Sequence, residues 1–165
     1  MPMQMQDLQD LFVMKLNDIY DAEQQGLQAM QQLSQRVQSP ELKQGFQQHI
    51  EQSQQQVSRL EQIFQQMGQQ PNGEKNLGIQ GLIQESQKLL SQDASPEVLE
   101  AGIIACQQAM EHYEMAAYGT ARTYAQLLNN DQAVQLLEQT LDEEKQNDEK
   151  LTQVAEKINV QAMQG

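Results

Sequence analysis

Acidic side chains interrupt the apolar stripes of three predicted helices. Glu23 is spaced four and seven residues from Leu16, Ile19, Leu27 and Met30. Residues at these spacings share one face of an α-helix. Glu23 is therefore predicted to point into the core rather than into solvent.

The other predicted long helices carry comparable polar positions. Glu114 and Glu144 each lie within an apolar stripe, and Asp148 follows Glu144 by one turn. Ser53 interrupts the stripe of the second helix, with Gln56 on its edge. Folding each predicted hairpin about its turn brings these positions to the middle of the bundle. One core layer is predicted to hold Glu23, Ser53, Gln56, Glu114, Glu144 and Asp148.

Such a layer needs compensation for its negative charge. A carboxylate buried without a partner costs several kcal/mol even after relaxation. Arg59, Lys145 and Lys150 are expected to point away from the layer. One divalent cation or a pair, iron or manganese, would balance the charge, because carboxylate oxygens suit hard cations. Half-buried, hydrated carboxylates that stiffen the bundle by hydrogen bonding are the alternative interpretation.

Two further residues lie near this layer. Glu111 precedes Glu114 by three residues and would be either a second carboxylate of the site or a solvated one. His49 lies one turn before Ser53 and maps about 10 Å from the level of Glu23 at 1.5 Å per residue. We interpret His49 as a hydrogen-bonded histidine at the edge of the stripe rather than as a ligand.

One further histidine and three tyrosines are predicted to have structural roles. His112 is predicted to lie on the surface. Tyr20, Tyr113 and Tyr118 flank the layer and are predicted to pack in the core. A tyrosine beside carboxylates could also hydrogen-bond a ligand or relay electrons.

Helical periodicity predicts the elements that position these residues. The breaks fall at Ser39-Pro40 and Ser95-Pro96, where Ser can cap and Pro can start a helix, and at Gly68. Four long helices are predicted at about 7–37, 41–67, 97–129 and 131–159, with a shorter one at about 79–92.

The connections predict a ferritin-like four-helix bundle. Short loops make two antiparallel hairpins. The segment 68–96 joins them and is long enough to cross a bundle of roughly 40 Å, at 1.5 Å per helical residue. We therefore predict a single all-α domain over 1–165, with its core at 7–159 and a frayed tail at 160–165.

Composition excludes several classes of partner. The net charge is −13, which disfavours binding to nucleic acid or to an anionic membrane surface. There is no apolar run of about 18 residues and no signal-peptide pattern, so a cytoplasmic protein is expected. Gln fills 36 of the 165 positions, which fits uncharged, solvated helix faces.

Several strings in order along the chain resemble the YciE/YciF family of ferritin-like bacterial stress proteins. They include Glu111-His-Tyr-Glu114 and Tyr118-Gly-Thr120, and the likeness runs from about 7 to 159. The resemblance implies a ferritin-like bundle, a cytoplasmic location, a homodimer and a link to di-iron sites. It does not imply a particular reaction.

The chain departs from the di-iron ligand pattern of ferritin-like bundles. That pattern has a Glu on two helices and Glu-x-x-His on the other two. Here Ser53 and Gln56 replace one such pair, and Asn147 or Asp148 stands where the second His would fall. One metal held by Glu23, Glu114 and Glu144, or a weakly bound pair, is therefore expected.

Two hypotheses of function follow. The first is a stress protein whose iron or manganese takes part in iron or peroxide redox chemistry, with Glu23, Glu114, Glu144 and Asp148 as ligands and Glu111 and Gln56 as further candidates. The second is a non-enzymatic, dimeric helical bundle whose polar layer holds no catalytic metal.

Overall fold

Five helices form most of residues 4–164, the part of the chain that this computed structural model describes. Each apolar stripe forms a helix close to its predicted bounds. The helices are α1 (Leu8–Ser34), α2 (Pro40–Gln66), α3 (Leu77–Leu90), α4 (Pro96–Leu127) and α5 (Asp131–Ala162).

The helix ends show how local chemistry sets these bounds. Pro40 begins α2, as predicted, but the Ser39 side chain makes no capping hydrogen bond. Its backbone N–H instead donates to Glu100 Oε1 at 2.7 Å, across the bundle. Gly68 follows the end of α2 with φ of +66°, a conformation that glycine adopts without strain. Asn130 caps α5 by accepting from the Ala133 N–H.

The four long helices close a ring around one core. α1 packs on α2 and α4 packs on α5, and the two hairpins meet through the α1–α4 and α2–α5 contacts. α3 lies outside this ring against α1 and α4. This is the predicted arrangement of two hairpins joined by a crossover that contains a short helix.

The last helix ends later than predicted. α5 continues to Ala162, three residues beyond its predicted end at 159, and fraying of the tail stays a prediction. Ile158 is buried and anchors the preceding turn, and the following residues are compatible with helix. Residue 165 lies outside the described residues.

The crossover is held to α1 by side-chain hydrogen bonds. The Asn76 N–H donates to Asp21 Oδ2 at 2.7 Å, and the Asn72 N–H donates to Asn17 Oδ1 at 2.8 Å. Asn76 also caps α3 and accepts from the Tyr113 hydroxyl of α4. These contacts fix the start of α3 between α1 and α4.

The apolar core is divided into two clusters. One contains Met30, Phe46 and Ile103, and the other contains Phe12, Phe64 and others from the opposite half of the bundle. The predicted polar layer lies between them. Among residues 4–164, every helix is too short or too polar to traverse a lipid bilayer.

Candidate metal centre

Buried acidic and imidazole side chains from all four long helices form the polar layer. Each lies on the inward face of its helix, as the periodicity of α1, α4 and α5 predicts. None is more than 6% exposed. They are Glu23 of α1, His49 of α2, Glu111 and Glu114 of α4, and Glu144 of α5.

These five residues form two groups of possible ligands. Glu23, Glu114 and Glu144 make one group, and His49, Glu111 and Glu144 make the other. Within each group, one ligand atom per residue lies within 4.8 Å of the others. Glu144 belongs to both groups and therefore joins them into one continuous cluster.

His49 is more central than expected. Its Nε2 lies 3.3 Å from Glu144 Oε1, and its Nδ1 lies 3.0 Å from Glu111 Oε1. His49 is hydrogen-bonded, as interpreted, but it lies buried inside the layer rather than at the edge of the stripe. Mapping levels along helix axes ignores side-chain length, and the long Glu111 and Glu144 side chains reach across the difference in height.

Electrostatics favour a charged imidazole in this position. Burial alone would lower the pKa of His49, but Glu144 and Glu111 raise it to about 10. Burial likewise opposes ionisation of Glu144, yet the nearby His49 charge lowers its pKa overall. Burial dominates at Glu111 and raises its pKa despite the contact with His49.

The two remaining carboxyls, Glu23 and Glu114, both have raised pKa values. Burial and the neighbouring Glu144 raise the pKa of Glu23 to about 8. Burial, then Glu23 and Glu144, raise the pKa of Glu114 well above its ordinary value. The Tyr118 hydroxyl donates to Glu23 Oε1 at 2.6 Å, so this tyrosine contacts a candidate ligand rather than serving only as core packing.

Gln56 contacts a neighbouring ion pair that sequence patterns did not identify. Its amide donates to Glu143 Oε2 at 3.0 Å. Arg59 makes two hydrogen bonds of 2.7 Å with Glu143 and one of 3.1 Å with Thr140, and is itself buried. Arg59 thus avoids the carboxylate layer, as expected, but packs between α2 and α5.

Asp148 does not join either ligand group. Its Oδ2 lies 3.2 Å from Nε2 of the exposed His112. Asp148 is four residues from Glu144, so it lies one turn further along α5 and is rotated by about 40° around the helix. The structure places Asn147 closer to the interior, where its amide donates to Gln52 Oε1 at 2.7 Å.

Several buried oxygens of the layer have no hydrogen-bond partner. Both Glu111 oxygens are among them, although Oε1 makes an ion-pair contact of 3.0 Å with Nδ1 of His49. Buried acceptors normally have a partner, since leaving one unpaired costs about 1–3 kcal/mol. The unpaired atoms are Gln56 Oε1, Gln107 Oε1, both Glu111 oxygens and Glu144 Oε2.

Comparison with known proteins places the chain in a family. The sequence profile of DUF892, described as a domain of unknown function, matches residues 7–164. Protein YciF of Escherichia coli strain K12 is 36% identical in an alignment 161 residues long that covers 93% of each chain. The chain belongs to the DUF892 family.

Solved structures agree with the DUF892 assignment. The crystal structure of the E. coli stress protein YciF is 35% identical, has a TM-score of 0.90, and covers 93% of this chain and 98% of its own. YcfI of Rhodopseudomonas palustris is 39% identical, has a TM-score of 0.89, and covers 92% and 97%. A ferritin-like, diiron-carboxylate protein of Bacillus anthracis strain Ames is 16% identical, has a TM-score of 0.71, and covers 92% and 99%. The DUF892 chain therefore has a ferritin-like fold.

Proposed function

We propose that this chain is a ferritin-like stress protein that binds divalent iron or manganese in its polar core layer. The observation that carries the proposal is the pair of buried ligand groups that share Glu144. Their ligand atoms are carboxylate oxygens and an imidazole nitrogen, a set that suits iron and manganese. The stress role is inferred from the likeness to E. coli YciF, which is described as a stress protein.

The charges and hydrogen bonds of the layer fit such cations. Four carboxylates lie close together and only His49 among the five ligand candidates can carry positive charge. The unpaired oxygens of Glu111 and Glu144 would gain partners from a cation. Two cations would therefore remove both the charge imbalance and the unsatisfied acceptors, which supports a pair over a single ion.

The surrounding residues would tune this centre. Bound iron supplies one-electron redox chemistry toward an oxidant such as peroxide. Tyr118 orients Glu23 through its hydroxyl and holds a proton beside that carboxylate. The apolar clusters above and below the layer exclude bulk water, which strengthens electrostatic interactions inside it.

A metal-free polar layer is the second candidate function. His49 with a pKa of about 10 is a resident cation for Glu144 and Glu111, and Glu23 with a pKa of about 8 carries a proton near neutral pH. This state balances much of the charge without any metal. It supports a non-enzymatic bundle in which the polar layer specifies helix register.

Metal analysis of chain purified without chelator separates the two candidates. We expect one to two equivalents of iron or manganese per chain in the parent, and a loss of most of it in Glu144→Gln, because that residue belongs to both ligand groups. Glu156→Gln is the matched control, an exposed glutamate on the same helix. Absence of metal at every loading, with Glu144→Gln less stable than the parent because His49 loses its anionic partner, would favour the metal-free bundle.

A further inference from the structure

A narrow cavity connects the surface with one end of the polar layer. It lies between α2, α4 and α5 and has a volume of about 40 Å³. Its mouth is formed by exposed residues, and its floor by buried polar ones. The mouth residues are Glu41, Gly45, Gln48 and Lys150, and the floor residues are His49, Gln107, Glu111 and Asn147.

A wider depression lies directly outside this cavity. It has a volume of about 250 Å³ and shares all four mouth residues with the inner cavity. Together the two spaces form a funnel that narrows from solvent toward His49 and Glu111. Leu42, Phe46 and Leu151 line its inner wall.

The floor of the funnel offers acceptors without partners. Gln107 and Glu111 are buried, and Gln107 Oε1 and Glu111 Oε2 lack any partner, while Glu111 Oε1 contacts only His49 Nδ1 at 3.0 Å. A site of free acceptors attracts a cation or a hydrogen-bond donor. The inner volume corresponds to about three water-sized positions, so a cation passing through must shed most of its hydration shell.

We propose that this funnel is the route through which a divalent cation reaches Glu111 and then Glu144. The proposal rests on the proposed metal-binding function and adds the path of uptake. Glu41 at the mouth attracts a cation, although Lys157 lies 3.6 Å from its Oε2, and Lys150 opposes the cation. A Cβ added at Gly45 would have no heavy atom within 4 Å, so a larger side chain can be introduced at the mouth without a backbone clash.

Rapid-mixing uptake of Co²⁺, followed by its visible absorption, tests the route sterically. Gly45→Phe and Gln48→Trp add bulk at the mouth, and we expect each to slow uptake by about tenfold, the effect of a barrier about 1.4 kcal/mol higher. The equilibrium affinity should stay unchanged, because neither residue is a candidate ligand. Gly81→Phe is the matched control, since Gly81 is exposed on α3 and its Cβ would also meet nothing within 4 Å.

A second test changes the charge at the mouth instead of its bulk, so its result does not depend on the orientation of an introduced aromatic side chain. Lys150→Gln should raise the uptake rate roughly threefold at low ionic strength, and less in high salt. Lys145→Gln makes the same change in net charge on the same helix but lies outside the funnel lining, and should have a smaller effect.

The outcomes distinguish failure of the route from failure of the function. Uptake by the parent, with rates that neither mouth variant changes or that respond equally to Lys150→Gln and Lys145→Gln, overturns the funnel alone. Absence of Co²⁺ uptake by the parent overturns the proposed function and the route together. Slower uptake in both mouth variants with unchanged affinity supports the route.

Discussion

His49 determines the charge balance of the layer at the scale of single residues. Its two ring nitrogens face Glu111 and Glu144, at 3.0 and 3.3 Å. Removing one partner of a buried ion pair costs about 3–5 kcal/mol of stability, because the other charge stays buried without compensation. Replacing the whole pair by apolar residues is often neutral or stabilising. In the metal-free protein the imidazolium therefore stabilises the Glu111 and Glu144 carboxylates, because the two ligand groups contain no other cationic side chain.

Replacing His49 by Gln should destabilise the chelator-treated protein. The expected loss is about 3–5 kcal/mol in the free energy of unfolding, because Glu144 would keep its burial but lose its cationic partner. Adding Mn²⁺ should recover part of this loss, since the cation takes over the compensation. Urea unfolding with EDTA and with Mn²⁺ measures both effects.

His112→Gln provides the control for this comparison. The His112 side chain is 65% exposed and contacts Asp148 rather than either ligand group. Surface ion pairs contribute about 0–1 kcal/mol, so little change is expected. If His49→Gln were as mild as His112→Gln, the imidazole would not be charged in the folded protein.

The sequence predicted the acidic members of the site well because each lies in a helical apolar stripe. Glu23, Glu114 and Glu144 occupy positions where periodicity alone implies burial. His49 was misplaced because its contacts depend on side-chain reach rather than on backbone level. Arg59 and Glu143 meet across two helices, and that pairing depends on the packing angle between α2 and α5, which no single-helix pattern contains.

At the scale of elements, the predicted helices were recovered because Pro, Gly and Asn punctuate the apolar stripes. The docking of α3 was not predictable in the same way. It depends on a close approach at Gly78, where an added Cβ would lie 2.7 Å from the Tyr113 ring. It also depends on hydrogen bonds from the crossover to α1, whose acceptors are 55 residues away from their donors in sequence.

Gly78→Ala should destabilise the protein by forcing α3 away from α4. The Cβ would overlap the Tyr113 ring and hydroxyl, and overpacking of this kind costs about 1–3 kcal/mol. Gly81→Ala, three residues further along α3, should instead stabilise by up to about 1 kcal/mol, because its Cβ is free and Ala favours helix. Chemical unfolding of both variants measures the difference, and equal effects would contradict the close approach of Tyr113 to α3.

Asp21 should make the docking of the crossover dependent on pH. Burial opposes its ionisation, but hydrogen bonds from Asn76, Gln25 and Lys75 lower its pKa below the ordinary 3.8. A lowered folded-state pKa stabilises the protein above the unfolded-state value, and this contribution is lost as pH falls through the folded-state value.

Asp21→Asn should therefore cost about 1–3 kcal/mol near neutral pH, the range for a lost charged hydrogen bond. The difference from the parent should shrink as pH falls below about 4. Unfolding at a series of pH values measures this trend. Asp142→Asn, an exposed aspartate on α5, is the control. A difference that is constant with pH would show that Asp21 acts without its charge.

At the scale of the whole molecule, two expectations from the family resemblance stay predictions. The first is a homodimer, which light scattering of the purified chain would measure directly as a molar mass of about twice 18.8 kDa. The second is a cytoplasmic location. Neither enters the arguments for the metal centre, which depend on residues of a single chain.

The net charge of −13 complicates any test of specific metal binding. A strongly acidic protein gains stability from cations in general, because they screen the repulsion among its surface carboxylates. A specific site differs in that it saturates at low concentration and depends on particular ligands. Comparing Mn²⁺ with Na⁺ at matched ionic strength therefore distinguishes specific binding in the buried layer from general screening of the surface charge.

Micromolar to sub-millimolar Mn²⁺ should raise the melting temperature of the parent by about 5–10 °C. A ligand at 100 times its Kd adds about 2.7 kcal/mol, and each kcal/mol corresponds to about 2–4 °C in a chain of this size. Na⁺ at the same low ionic strength should have little effect, and at higher concentration should stabilise the parent and Glu144→Gln equally. Because Glu144 is shared by both ligand groups, the response to Mn²⁺ should be lost in Glu144→Gln and kept in Glu156→Gln. An equal response in all three proteins would show that Mn²⁺ acts on the acidic surface. The buried layer would then be neutralised by His49 and by protons on its carboxyl groups, not by metal.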